Sequence, residues 1–226
     1  MLIPRYFFCG DFLPFYDYFL SCPHVRRSFP RGSMLWQTGE PHSAIHYIEN
    51  GSALNFALHE SGRRKLISFH GAGTVFPGYH RRDFKIERTL ATQALCDMQV
   101  LEFTREQFSR MFAQNTALAE AVVSWYAAYV NRLLFETVHQ EYNSSLVQLC
   151  NLLYLLTIAR EPACPCAEAD MTQDELAELL GISRVQLTRA LSVLRSRGII
   201  ATQRHRISIT NQAALAALCS SEALGE

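Results

Sequence analysis

Residues 171–196 read MTQDELAELLGISRVQLTRALSVLRS, and the spacing inside this stretch decides the architecture of the C-terminal third. Thr172 stands three residues before Glu175, the distance at which a hydroxyl and a carboxylate satisfy each other's backbone amides at a helix start. Leu176, Leu179 and Leu180 follow as one apolar face. Gly181 supplies the positive φ of a tight turn, and Ser183 suits the cap of a second helix. There Leu187, Leu191 and Leu194 form the buried side, which leaves Arg184, Val185, Gln186, Thr188 and Arg189 outside near the start. Two helices joined in this way read as a helix-turn-helix, whose second helix enters the major groove by its N-terminal end. An arginine fork matches O6 and N7 of guanine, a glutamine amide matches adenine, and Val185 offers apolar contact, for instance to a thymine methyl.

Downstream, Gly198-Ile199-Ile200 leads into Thr202–Arg206 and Ile207–Thr210, a two-stranded wing with Gln203, Arg204, His205 and Arg206 at its tip, near phosphates. Candidate DNA contacts are therefore Thr172, Ser183, Arg184, Val185, Gln186, Thr188, Arg189, Arg204 and Arg206. The chain has 21 basic and 21 acidic residues, a balance that by itself argues against a nucleic-acid partner. The distribution reverses that reading. From Leu179 to Ser221 there is no acid, while six arginines fall inside the interval, and a local basic face is what a polyanion meets.

Upstream, residues 146–158 form a strongly apolar helix that Pro162–Pro165 terminates. Asn143, Ser144 and Ser145 interrupt the helical pattern before it and make a hinge. A long central helix precedes them. Its residues Leu118, Val122, Trp125, Tyr129, Arg132, Leu133 and Glu136 step by three or four, a seam either for a second copy of the chain or for packing within it; pairing is the expectation. Thr104, followed by Glu106 and Gln107, starts the helical region.

Between Val25 and Phe103 the pattern is of short, partly alternating runs with glycines between them: Met34–Trp36, Ala44–Ile48, Ala53–Leu58, Lys65–Phe69, Thr74–Phe76 and Met98–Phe103. Even spacing with turn residues predicts an antiparallel barrel or sandwich. Ahead of it lie eight aromatics between Tyr6 and Phe19, interrupted by Asp11 and Asp17; this reads as an N-terminal helix on the first domain, not as a secretory signal. No apolar run is long enough to span a membrane, so a cytoplasmic protein is expected. The seven cysteines are odd in number and unevenly spaced, and inert thiols are the expectation; Cys164-Ala-Cys166 is a weak metal motif.

The whole chain resembles the superfamily of the cAMP receptor protein and the fumarate-nitrate reduction regulator. Gly181, Ser183, Arg184, Arg189 and Leu194 carry the most specific part of that resemblance, and Arg31-Gly32, Gly39-Glu40, Tyr47-Ile48, Gly51, Gly62 and Gly73 resemble the family's turn pattern. The resemblance implies an α+β fold: an N-terminal antiparallel β-roll of the cyclic-nucleotide-binding jelly-roll type over residues 1–112 with an N-terminal helical segment, a central dimerisation helix over 113–142, and a winged helix-turn-helix over 143–226. It implies homodimers that read palindromic double-stranded DNA, act on RNA polymerase and answer to a small-molecule effector, with no membrane partner.

The departures shape the effector. Family members that bind cyclic nucleotides carry a Gly-Glu pair for the ribose and an Arg-Ser pair for the phosphate. Here residues 73–79 read GTVFPGY without an acid, Arg88-Thr89 resembles the second pair only in part, and Leu133-Leu134 fall near the base-reading positions. Burying a ribose and phosphate without polar partners costs about 1–3 kcal/mol per group, so a cyclic nucleotide is not expected. Phe76, Tyr79, Trp125, Tyr129 and Leu133 would line a pocket for an apolar or aromatic effector, with Lys85, Arg81 or Arg88 for an acidic group, in the manner of the branch that senses halogenated phenols. Cys9 with Cys22 is too sparse for an iron–sulfur cluster; no cofactor is expected, with haem on His46, His70 or His80 as the alternative. A different class, the cupin-like metal enzymes, would use His42, His46 and Glu49, but Glu49 would point away from the two histidines on a regular strand. No catalytic triad, phosphate-cradling loop or paired-carboxylate site is present, and no enzymatic activity is expected.

Overall fold

The computed structural model describes residues 3–77, 84–158, 171–203 and 206–224. Tyr79, His80, Arg81, Cys164, Cys166 and Arg204 lie outside these ranges. The chain divides into two compact units, one of residues 7–127 and one that joins residues 3–6 to the described residues from 128 onward.

The first unit is a β-roll of nine strands: β1 (Phe7–Phe8), β2 (Val25–Phe29), β3 (Met34–Trp36), β4 (Ala44–Asn50), β5 (Ser52–Leu58), β6 (Arg64–Gly71), β7 (Val75–Phe76), β8 (Leu90–Ala94) and β9 (Met98–Thr104). They form a sheet ordered β1-β6-β5-β8-β3 and a second ordered β2-β9-β4-β7. Pairing is antiparallel except for β1, which lies parallel to β6 with Phe7 opposite Phe69. The β4–β5 turn depends on Gly51, whose φ is 90°. A Cβ there would sit 2.6 Å from the Asp97 carbonyl oxygen and 2.9 Å from the Met98 Cα, so the hairpin requires glycine on both steric and conformational grounds. Phe8, Trp36, Tyr47, Phe69 and Phe103 fill the interior with Ile45, Leu66 and Leu101.

The N-terminal aromatic stretch is not one helix. Phe7 and Phe8 are extended along β6, stacked on Phe69 and His70 at 4.5 and 5.6 Å, and only Tyr16–Ser21 forms a helix, α1. Gly10, with a φ of 77°, breaks the run between them, and Pro14 opens a 3-10 turn (Leu13–Phe15) that leads into α1. β8 went unread because Leu-Ala-Thr-Gln-Ala has too little apolar bulk to show a period of two.

Helix α2 (Arg105–Gln114) opens on a reciprocal cap, the Gln107 amide donating to Thr104 Oγ1 at 3.1 Å and the Thr104 amide donating to Gln107 Oε1 at 2.7 Å. Asn115 separates it from α3 (Thr116–Tyr142) by accepting the Leu118 amide at 3.0 Å. The buried stripe of α3 contains Leu118, Val122, Trp125, Arg132, Phe135 and Glu136. This corrects the expected pairing seam: most of those residues are enclosed by their own chain. Trp125 packs 5.4 Å from Phe8 and 6.1 Å from His70 inside the β-roll unit. A different stripe, Val123, Val130, Leu134 and Val138, stands 62, 48, 62 and 52% exposed.

The second unit is built on α4 (Ser145–Thr157), whose Leu149, Cys150, Leu152, Leu153 and Leu155 are buried against α5 (Gln173–Leu180), α6 (Arg184–Ser196), α7 (Gln212–Ala216) and α8 (Ser221–Leu224). Strands β10 (Ile200–Gln203) and β11 (Arg206–Ile209) form the antiparallel wing, Gln203 opposite Arg206. The α3–α4 junction spans Asn143 and Ser144. It is pinned, not loose: Gln148 Nε2 donates to the carbonyls of His139 and Asn143 at 3.0 and 2.9 Å and approaches that of Gln140 at 3.4 Å. Burial pushes the thiols of Cys150 and Cys219 up to about 11 and about 12, which leaves both protonated and unreactive at neutral pH.

Candidate nucleic-acid interface

Helix α5 begins where the sequence placed it. The Thr172 amide donates to Glu175 Oε2 at 2.7 Å and the Glu175 amide donates to Thr172 Oγ1 at 3.1 Å. Gly181, at φ 71°, turns the chain, and its N–H donates to the Ala177 carbonyl. Ser183 then caps α6, accepting the Gln186 amide at 3.3 Å while Gln186 Oε1 accepts the Ser183 amide and hydroxyl at 2.9 and 2.8 Å. This second reciprocal cap was legible as Ser-x-x-Gln but was passed over. It also revises the role of Gln186: with its oxygen held by the cap, the two-point contact to adenine requires the cap to open.

Leu187, Ala190, Leu191 and Leu194 face the unit's interior, so Arg184, Val185, Gln186, Thr188 and Arg189 are exposed together on the first turns of α6. The Thr188 hydroxyl donates back to the Arg184 carbonyl at 2.8 Å. Arg184 Nη1 lies 3.3 Å from Asp174 of α5; with both side chains about two-thirds exposed the pair is screened and easily exchanged for a phosphate or base. Arg189 has no ion-pair partner among the described residues. A groove of about 350 Å³ lies beside these groups, lined by Thr172, Gln173 and Asp174 of the α5 start, Arg184 of α6, and Gln203 and Arg206 of the wing. The amides of a helix start, two guanidiniums and a wing strand on one side of a small domain are what a duplex backbone and groove edge require.

The predicted effector residues are placed separately. Phe76 and Trp125 come together around His70, whose ring stacks on Phe76 at 3.8 Å and whose Nε2 lies 2.9 Å from the Ser68 hydroxyl. Trp36 meets Phe76 edge-on at 5.8 Å and lies 4.7 Å from His46. His46 Nε2 bonds Glu102 at 3.0 Å, and burial holds its imidazole below the ordinary value and so neutral at pH 7. Glu49 is taken up by the Tyr16 hydroxyl at 2.7 Å and by Arg26, so it does not converge with His46. Lys85 and Arg88 sit exposed on a short 3-10 turn (Lys85–Thr89). Tyr129 and Leu133 belong to the other unit, Tyr129 under the Arg132 guanidinium and Leu133 40% exposed. Sequence reasoning missed the residues around that guanidinium, Tyr6 and Glu136, although Arg and Glu four apart in an apolar helix were a signal for them.

A β-roll followed by a long helix and a capped, basic, winged helix-turn-helix defines an effector-domain transcription factor. Comparison with known proteins bears this out. Residues 26–115 match the cyclic nucleotide-binding domain family and residues 147–218 the Crp-like helix-turn-helix domain family. The cAMP-activated global transcriptional regulator CRP of Haemophilus influenzae is 21% identical over 83% of this chain and 84% of its own. The global nitrogen regulator of a Nostoc species is 22% identical over 83% and 86%. Among solved structures, FixK2 from Bradyrhizobium japonicum superposes with a TM-score of 0.72 at 18% identity, covering 88% of this chain and 98% of its own. CprK bound to OCPA gives 0.72 at 15% identity over 95% and 100%. The two domain matches together span most of the chain and place it in the Crp/Fnr superfamily: it is a DNA-binding transcriptional regulator with an effector domain of the cyclic-nucleotide-binding type, and the relatives it matches are transcription regulators. No described helix is long and apolar enough to cross a membrane.

Proposed function

We propose that this chain works in the cytoplasm as a homodimer on palindromic duplex DNA, contacts RNA polymerase there, and is switched by a small effector that is not a cyclic nucleotide. The observation that carries the reading is the outward face of α6, where Arg184 and Arg189 stand exposed at the start of a helix whose leucines are buried. Two such helices must lie about 34 Å apart to meet successive major grooves, which makes their separation the quantity an effector controls. The exposed Val123, Val130, Leu134 and Val138 supply the surface for pairing α3 with its copy.

Several features favour an apolar or aromatic effector. Phe76, His70 and Trp125 present ring faces inside the β-roll, and residues 73–77 bring no carboxylate to a ribose. No tightly held cofactor is invoked, since Ser68 and Glu102 already engage His70 and His46. Fluorescence anisotropy on a palindrome selected from a random pool tests the reading. The protein should prefer it over random duplex by at least about a thousandfold, a typical specific-to-non-specific ratio, and cAMP should leave the affinity unchanged. Equal affinity for both duplexes would refute the proposal.

A further inference from the structure

Arg132 is the largest fully enclosed side chain of the described residues, 0% exposed, and it is half satisfied. Its Nη1 donates to Glu136 Oε2 at 2.9 Å. The Tyr6 hydroxyl donates to the other carboxylate oxygen at 3.2 Å, with burial keeping that phenol protonated. The guanidinium lies over the rings of Tyr129 and Tyr6, at 5.2 and 5.6 Å. Nε and Nη2, however, have no hydrogen-bond partner among the described residues. These two nitrogens share one edge of the guanidinium plane and point their N–H bonds in parallel, the fork that fits both oxygens of a carboxylate. A buried donor left unmade is costly, and here two are left on the edge best shaped for a planar anion.

We propose that the Nε/Nη2 edge of Arg132 is a binding site for a small organic carboxylate. On the reading that a small effector controls this regulator, that acid is an effector held by residues of the second unit, additional to any ligand of the Phe76, His70 and Trp125 rings in the first. Glu136 already places one negative charge against the guanidinium, so a single further charge is tolerated better than the two of a phosphate dianion. The flanking Tyr6 and Tyr129 rings suit an apolar body behind the acid group. Tyr6, held by its hydroxyl bond to Glu136 and by the guanidinium over its ring, and lying ahead of the first strand, is the cover that entry displaces.

The test is calorimetric titration of the full chain with benzoate, its neutral isostere benzamide, and inorganic phosphate. Benzoate should bind saturably at least about tenfold more tightly than benzamide or phosphate, the difference one charge-assisted fork makes. Arg132→Lys should lower benzoate affinity by a similar factor, because an ammonium presents no parallel pair. Should that variant fold poorly, Glu136→Gln serves instead: the amide oxygen still accepts from Arg132, the amide NH2 donates to the Tyr6 hydroxyl oxygen in place of the present bond, the repelling charge is gone, and benzoate should bind more tightly. Benzamide binding as well as benzoate, phosphate binding in preference to it, a folded Arg132→Lys with undiminished affinity, weaker binding by Glu136→Gln, or no saturable benzoate binding to about 10 mM would each overturn the site. Benzoate that binds through Arg132 yet leaves DNA affinity unchanged would instead sink the effector reading and leave the site standing.

Discussion

Helices α5 and α6 and helix α3 all bury one stripe of side chains, yet the first two obey a single-chain rule and the third does not. In α5–α6 every leucine at the expected spacing is buried, and what remains outside is polar or basic apart from Val185. In α3 the order is inverted along part of its length: Arg132 and Glu136 are buried while Leu134 and Val138 face outward. A pair of helices that satisfies itself within one chain leaves its outer face for a ligand, here DNA. A helix that encloses charge and exposes aliphatic side chains has two packing obligations, one of which the single chain does not meet.

That contrast can be broken or sharpened by substitution. Trp125→Ala should have the largest effect, about 3–5 kcal/mol of stability by denaturant unfolding, because a fully packed aromatic is removed from the β-roll. Its dimer, measured by analytical ultracentrifugation at temperatures where it stays folded, should be unimpaired; a selective loss of dimer would return Trp125 to the seam. Leu134→Asp should do the reverse. It should weaken self-association by roughly 3 kcal/mol or more, over a hundredfold, since a leucine is lost from each of two paired surfaces, with little change in monomer unfolding.

Arg189→Ala on the other helix should cost about 1–3 kcal/mol on the selected palindrome and less on random duplex. Equal losses on both would show that it touches only backbone. The smallest effect concerns His139, near the end of α3, whose imidazole is held below the ordinary value of 6.5 by burial, with Glu222 pulling the other way. A depressed histidine binds protons more readily unfolded than folded, so its contribution is complete above about pH 6.5 and declines as pH falls below it. Thermal melts across pH 5 to 7 should show that slope, and His139→Gln should flatten it.

The same contrast explains what could be read from the sequence. The helix-turn-helix was legible residue by residue because caps, turn glycine and leucine spacing are local rules, and local rules agree there with burial. Only the use of Gln186 as cap escaped, since one side chain was assigned outward before its competing local partner was weighed. Most strands of the β-roll were legible through their glycine-bounded runs. β1 was hidden because two phenylalanines in an aromatic stretch carry no periodicity, and their parallel pairing with β6 is long-range. In α3 apolar residues occur on more than one face, so periodicity found a stripe without saying whether the partner was the chain's own β-roll or a second copy. The effector residues were least legible: pocket membership depends on tertiary placement, and Arg132 declares itself only through the donors it leaves unpaired.

The Gln148 amide at the foot of α3 has a consequence for how a signal travels. A single side chain clasps the carbonyls of His139 and Asn143 and reaches toward that of Gln140, so α4 cannot swivel by degrees against α3 without straining these contacts together. The reading head is therefore keyed to α3 through one amide, and any turn of α4 about this joint must release both short bonds at once.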